Sequence, residues 1–282
     1  MEKGKSSKKM AKIIVLLLII AIIIIGICVW YFQFKKPYDA AVNDFNVAAQ
    51  QVNEKNSELD DAISTAQAVL DSGEKPYDSQ TVSNLTTAIA DANAVRRDVP
   101  DLPENKDDII KASSALLEPL DYSDTIASLN ENQAALETSI QQMKQITNPS
   151  EDFIVQRLQE IDAISGYQAV TEDHDPNGNL NKQGGYTAAI YFSSPFINQD
   201  EIYGTDIVDK GTDCGGCIEV YSSSEDAEAR NEYLAAFDGA GILNSGSHTV
   251  LGTIVIRTSA ELTATQQNDL TQKITDKMLE LK

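Results

Sequence analysis

Histidine and cysteine are scarce in this chain of 282 residues, which has two of the one and three of the other. One cysteine, Cys28, sits in an apolar run, so Cys214 and Cys217 are the only pair outside it. A zinc site on that pair would need two more ligands, and His174 and His248 are the only histidines on offer. No arrangement of nucleophile, base and orienting group stands out, so the expectation is a protein that is not an enzyme. Basic residues are also few beyond the N-terminus. Residues 1–36 hold seven Lys and one acid, for a charge of +6, which leaves −27 on residues 37–282. A body so acidic is repelled by phosphate backbones and has no basic stripe, which excludes nucleic acid as a partner. It is repelled by anionic lipid too, so it should stand off a membrane surface rather than lie on it. The simplest role of such charge is solubility.

Charge is wholly missing from residues 13–32, IIVLLLIIAIIIIGICVWYF. Twenty residues at 1.5 Å each reach roughly 30 Å, the thickness of a bilayer core, so the run reads as a transmembrane helix. A cleavable signal peptide would be shorter and would end in small residues, whereas this run ends in Cys28, Val29, Trp30, Tyr31 and Phe32. Trp30 and Tyr31 suit the membrane interface. Five Lys before the span against two after it place the N-terminus inside by the positive-inside rule. The expectation is a signal anchor, with residues 1–12 a cytoplasmic tail and the body outside. Lipid modification at Cys28 is the rival, and it conflicts with Ile27 and with the apolar segment that would follow the modified residue.

Residues 38–147 carry helical periodicity throughout. Val42, Phe45, Ala48, Val52, Leu59, Ile63, Ala66 and Leu70 recur near every 3.6 residues until Asp71-Ser72-Gly73 and Pro76. Val82, Leu85, Ala88, Ile89, Ala92 and Val95 mark a second helix, closed by Val99-Pro100-Asp101-Leu102-Pro103. A third begins near Asp107, is broken near Pro119 and Ser123-Asp124, and resumes from Ile126 to Met143. Three amphipathic segments with short connections predict an all-α three-helix bundle acting as a stalk. The apolar stripes read as core rather than as a ligand groove.

Asn148-Pro149-Ser150-Glu151-Asp152 marks a boundary, with Ser150 as a helix cap. Beyond it, residues 151–282 predict a small α+β domain of order α-β-β-α-β-α on a mainly antiparallel sheet of about three strands. The strands are expected at Tyr186–Phe192, Cys217–Tyr221 and Thr249–Arg257. A helix from Glu225 to Phe237 is closed near Gly239, and Thr263-Ala264-Thr265-Gln266 is a capping box for the last helix.

Seven short runs in this half carry a likeness. They are Asp175-Pro176-Asn177-Gly178, Gly184-Gly185-Tyr186-Thr187, Lys210-Gly211-Thr212-Asp213, Ile218-Glu219-Val220-Tyr221, Glu225-Asp226-Ala227, Gly246-Ser247-His248, and Arg257-Thr258-Ser259 with Leu262-Thr263. In this order they resemble an uncharacterised family of secreted or membrane-anchored surface proteins of Gram-positive bacteria, over residues 150–282. The helical half is similar in its Ala-rich periodicity to helix-bundle modules of surface adhesins. The resemblance implies an envelope location and no particular activity.

Two segments could carry chemistry. Asp173, Asp175, Asn177 and Asn179 follow the D-x-[DN]-x-[DN]-G spacing of a calcium loop, in which oxygen ligands gather round a turn that Gly178 permits. Position 12 of such a loop is Gly184 rather than Glu, and a strand rather than a helix follows. Asp-Pro-Asn-Gly is equally a turn in its own right, and Glu172 or Asp200 could complete a cation site. Cys214-Gly215-Gly216-Cys217 reads most simply as a local disulfide in an oxidising compartment, with a redox or zinc pair as alternatives. Ser247 and His248 are neighbours on a strand and so point apart, which does not suit a catalytic pair. Tyr186, Tyr191, Phe192 and Tyr221 read as sheet packing. The functional expectation is a membrane-anchored extracellular protein that binds or associates at the envelope, with a protein or cell-wall partner. An envelope hydrolase, a thiol oxidoreductase or an accessory subunit of a membrane complex are the alternatives.

Overall fold

The computed structural model describes residues 3–239 and 246–282. The first two residues of the basic tail lie outside that range. A single run of helix leads from Lys3 to Asp71: α1 (Lys3–Trp30), a π-helical turn (Tyr31–Lys35) and α2 (Lys36–Asp71). The wide turn coincides with the end of the charge-free run. Every large apolar side chain described from Ile13 to Phe32 is exposed. Gly73, at φ +65°, follows α2 in the left-handed conformation that ends helices.

By compactness the chain forms two units. One comprises residues 1–71 and 85–132, the other residues 72–84 and 133–282, so the division falls inside two helices, α3 (Gln80–Val95) and α5 (Ser123–Gln145). In the first unit, α2 lays Ala41, Phe45, Ala48, Ala49 and Val52 against Ile109 and Leu116 of α4 (Lys106–Leu116). Alanine at three of those positions lets the helices approach closely. Asn56, buried in the same stripe, donates to the Arg97 carbonyl at 2.8 Å and accepts from the Tyr122 hydroxyl at 2.9 Å. That hydroxyl also accepts from the Arg97 amide at 2.8 Å, and the Arg97 guanidinium donates to the carbonyls of Glu118 and Pro119. The proline-broken segments thereby become fixed connections. The expected third helix is two, α4 and α5, because Pro119 cannot continue the hydrogen-bond ladder. Residues 36–145 thus hold four helices rather than three.

The second unit is built on a five-stranded antiparallel sheet of order β1-β2-β3-β5-β4. Its strands are β1 (Gly166–Ala169), β2 (Tyr186–Ser193), β3 (Gly215–Tyr221), β4 (Ser247–Leu251) and β5 (Ile254–Thr258). Two of these differ from expectation. Gly-Tyr-Gln-Ala lacks the β-branched content that marks a strand, and it is recruited as β1 by pairing with β2. The single strand expected at 249–257 is a hairpin: Leu251 pairs with Ile254 across Gly252-Thr253, with Gly252 at φ +64° as a primed turn requires.

Helices cover both faces. Ile190, Phe192, Ile218, Val220, Ile254 and Ile256 form one core with α6 (Glu151–Leu158) and α9 (Ala264–Leu279). Tyr186, Tyr191, Cys217, Tyr221 and Val255 form the other with Ala227 and Leu234 of α8 (Ser224–Ala235). All of β3 is consequently buried, and its sequence does not alternate. The caps are as the sequence reads: Ser150 accepts from the Phe153 amide, and Thr263 and Gln266 form a reciprocal capping box.

The end of α5 belongs to this second unit. Ile146 is fully buried, and its carbonyl accepts from the Thr253 amide at 3.1 Å. Gln142 and Gln145 donate to the carbonyls of Leu279, Met278 and Glu280, satisfying orphan acceptors at the end of α9. A fragment of residues 133–282 should therefore outlast one of residues 151–282 in urea. Burial of Ile146 alone is worth about 2 kcal/mol, before the lost caps are counted. Equal denaturation midpoints for the two fragments would contradict this placement of α5.

Candidate functional site

Two connections of the sheet, residues 170–185 and 194–214, carry the chemistry-bearing side chains. The first begins with an isolated bridge between Thr171 and His174. Asp175 then closes the turn: its carboxylate accepts from the amides of Asn177 (3.0 Å) and Leu180 (2.8 Å) and from the Tyr186 hydroxyl. Burial pushes the Asp175 carboxyl up, but the Tyr186 hydroxyl and these amides outweigh it and hold it below the usual carboxylate range. Asn177 donates to the Tyr191 hydroxyl at 3.2 Å, and Gly178 turns the chain at φ +62°. Asp175 and Asn177 are thus engaged with the sheet. Asp173 and Asn179 are exposed, and Asp173 joins no group of metal-type ligands among the described residues. The four residues of the expected calcium loop make a turn anchored on two tyrosines. Asp-Pro-Asn-Gly closes by its own backbone donors.

His174 points toward the second connection. Its Nε2 lies 2.9 Å from Asp209 Oδ1 and its Nδ1 lies 3.8 Å from Asp206 Oδ2. Asp209 lies in the single-turn helix α7 (Ile207–Lys210), which Asp206, just before it, caps by accepting from the Asp209 amide at 2.9 Å. Gln168 of β1 fixes this turn, donating to Asp206 Oδ2 at 3.2 Å and accepting from the Val208 amide at 3.1 Å. The other oxygen of Asp209 accepts from the Thr205 hydroxyl and amide. The hydrogen bond to Asp209 raises the His174 pKa from its ordinary value against the opposing effect of burial, with Asp206 adding its charge. An open cleft of about 660 Å³, lined by residues 200–205 and Asp209, adjoins the group, and Tyr203 in its wall is 97% exposed. The pairing of His174 with Asp206 and Asp209 leaves no trace in sequence spacing, since Asp-x-x-Asp there reads as a helix cap. Glu172, weighed as a completing acid, accepts only a long contact from Asn181, and Asp200 lines the cleft.

The cysteines are not bridged. Cys214 and Cys217 are free and buried. Cys214 ends a 3₁₀ turn (Gly211–Cys214) and donates to the carbonyls of Gly211 and Phe192, whereas Cys217 packs on β3 with Tyr191 and Val255. Gly215 and Gly216 do not fold the chain back here. They continue it into β3, where a Cβ at Gly215 would meet the Phe192 carbonyl oxygen at 2.5 Å and one at Gly216 would meet the Arg257 carbonyl oxygen at 2.2 Å and the Phe192 ring at 2.4 Å. Burial pushes the Cys214 thiol up to about 11 and raises Cys217 well above its ordinary value. Thiol exchange requires the opposite, an accessible thiol of lowered pKa.

One buried group has no counterpart in the sequence reading. Glu219 on β3 is 1% exposed, and Arg230 of α8 grips its carboxylate through two hydrogen bonds of 2.8 and 2.9 Å. Arg257 of β5 and the Tyr221 hydroxyl each add one at 2.9 Å. Burial alone would push the Glu219 carboxyl up, but Arg230 and Arg257 outweigh it and hold it below its usual range. His248, also on the sheet, meets Asn231 Oδ1 at 2.7 Å and Asp238 Oδ1 at 3.3 Å, and nothing places Ser247 against its ring. Comparison with protein-family models, with curated proteins and with solved structures finds no match for the chain.

Two outcomes follow from this geometry. A carboxyl whose folded pKa is depressed contributes stability above its ordinary value of 4.5, and that stability is lost as the pH falls below it. Glu219→Gln, which leaves two guanidinium groups without their carboxylate, should cost about 3 kcal/mol at neutral pH. It should also flatten the dependence of Tm on pH on the acid side. Unchanged acid dependence would assign that sensitivity elsewhere. For the cysteines, alkylation under native conditions at pH 7 should spare Cys214 and Cys217. Denaturation without reductant should expose both to modification, as read by mass spectrometry of their peptides. Protection that persists until reductant is added would reveal a disulfide.

Proposed function

We propose that this chain is a single-pass membrane protein, anchored by residues 13–32 with its N-terminus in the cytoplasm, that acts outside by binding or structural association. The observation that carries the reading is the charge-free helix whose large apolar side chains are all exposed from Ile13 to Phe32. A soluble protein would bury so large an apolar surface, and hydrocarbon is the environment that suits it. Five Lys before the span and two after it support the orientation. Trp30 and Tyr31 then stand at the outer interface.

The charge of −27 on residues 37–282 supports a body that remains in solvent and away from anionic headgroups. In this reading the helices serve as a bundle-like stalk and the sheet unit as the part that meets a partner at the envelope. The resemblance of residues 150–282 to envelope proteins of Gram-positive bacteria agrees with that location. A non-catalytic role accords with the two buried thiols. Protease added to intact spheroplasts should digest residues 38–282 and leave the N-terminal tail intact, and the residual anchor should stay in the membrane pellet at alkaline pH. Protection of the C-terminal half, or release of the chain by carbonate, would overturn the proposal.

A further inference from the structure

The group formed by His174, Asp206 and Asp209 has a composition that the charge of the surface alone does not explain. One candidate ligand atom from each of the three lies within 4.8 Å of the others, and it is the group of three metal-type side chains found among the described residues. One imidazole nitrogen and two carboxylate oxygens lie within 4.8 Å of one another from different connections of the sheet. The shortest contacts use different ring nitrogens, Nε2 to Asp209 and Nδ1 to Asp206, and all three side chains are about 40% exposed, within reach of a dissolved ion. Ligands held at 2.0–2.1 Å in tetrahedral positions stand about 3.3 Å apart. His174 Nε2 and Asp209 Oδ1, 2.9 Å apart and sharing a proton, would open by a few tenths of an ångström to admit such an ion in its place.

Outer partners hold both carboxylates in place. Gln168 donates to Asp206, and Thr205 donates to the far oxygen of Asp209. Such second contacts orient the ligands of metal sites and tune their affinity. Three protein ligands leave further positions to water or to a molecule in the adjoining cleft, which shares Asp209. The mixed nitrogen and oxygen set selects the chemical class. An imidazole suits zinc and its first-row neighbours, whereas calcium and magnesium prefer oxygen alone.

We propose that His174, Asp206 and Asp209 bind one first-row divalent transition-metal ion, of which Zn²⁺ is the probe. The assignment does not depend on membrane anchoring. It differs from the calcium loop of Asp173, Asp175, Asn177 and Asn179, whose central carboxylate is turned to Tyr186. The test is calorimetric titration of the full chain in detergent with ZnCl₂ and, separately, CaCl₂. Circular dichroism of each variant checks that it is folded. Saturable binding of one Zn²⁺ per chain is expected, weakened at least tenfold by His174→Ala and by Asp209→Asn. Asp173→Asn, beside the group and outside it, should leave the affinity unchanged. Absence of saturable zinc binding up to 1 mM would overturn the proposal, as would zinc binding that survives His174→Ala. Calcium binding abolished by Asp173→Asn and indifferent to His174→Ala would overturn it too, in favour of the oxygen-only loop.

Discussion

The sheet unit depends on one carboxylate that cannot be left alone. Glu219 sits in the middle of β3, the central strand, where both faces of the sheet are covered. An unpaired charge there would cost several kcal/mol, so the unit is stable only with Arg230 and Arg257 in place. Those two residues come from α8 and β5, which means the charge is satisfied only when the helix is docked and the neighbouring strand is in register. The two faces of the sheet therefore divide their tasks. The face toward α6 and α9 is apolar and supplies burial, while the face toward α8 carries a charge network that specifies a single arrangement. Arg257 keeps Nε without a partner, a cost of enclosing three charges in so small a space.

The same enclosure explains the cysteines. Cys217 shares its face with Tyr191 and with the Glu219 network, so its thiol is both desolvated and next to a negative charge. Two glycines between cysteines look like a hinge on paper. In the fold they are required because β3 runs against Phe192 and Ser193 with no room for a Cβ. The spacing serves strand packing, and a bridge would ask the chain to leave the ladder at the point where the sheet is tightest.

How much was legible follows from how local each signal is. The α2 stripe, the caps at Ser150 and Thr263 and the strands β2 and β3 are written in neighbouring residues, and the structure repeats them nearly to the residue. Strand β1 was hidden because its four residues have little strand preference and are ordered only by pairing with β2. The β4–β5 hairpin was hidden because Gly252 lies inside one β-branched run. The close approach of Ile146, which forbids a side chain at Gly252, comes from a residue more than a hundred positions away. The division between compact units was obscure for a related reason. Proline and polar residues at 148–152 end a helix, yet the preceding turns of α5 already pack with the sheet.

At the candidate site the Asp173–Asn179 segment forms the turn that its sequence suggests, and the structure adds the partners of its side chains. Sequence places Asp175 and Asn177 on a turn, but it cannot show that Tyr186 and Tyr191, several residues on, draw them toward the sheet. Once Asp175 turns inward, its neighbour His174 is left facing the opposite way, where α7 brings Asp206 and Asp209. Position α7 is in turn set by Gln168 on the short edge strand β1, whose side chain pairs with both the backbone and the cap of that helix. The element hardest to see in the sequence is therefore the one that assembles the site. A four-residue edge strand pairs with a single neighbour and is open to further pairing unless something covers it. Here α7 packs against β1 with Ile207 close to Gly166, and the cover doubles as the support for two carboxylates. Edge protection and site construction are the same contact, so the two cannot be varied independently.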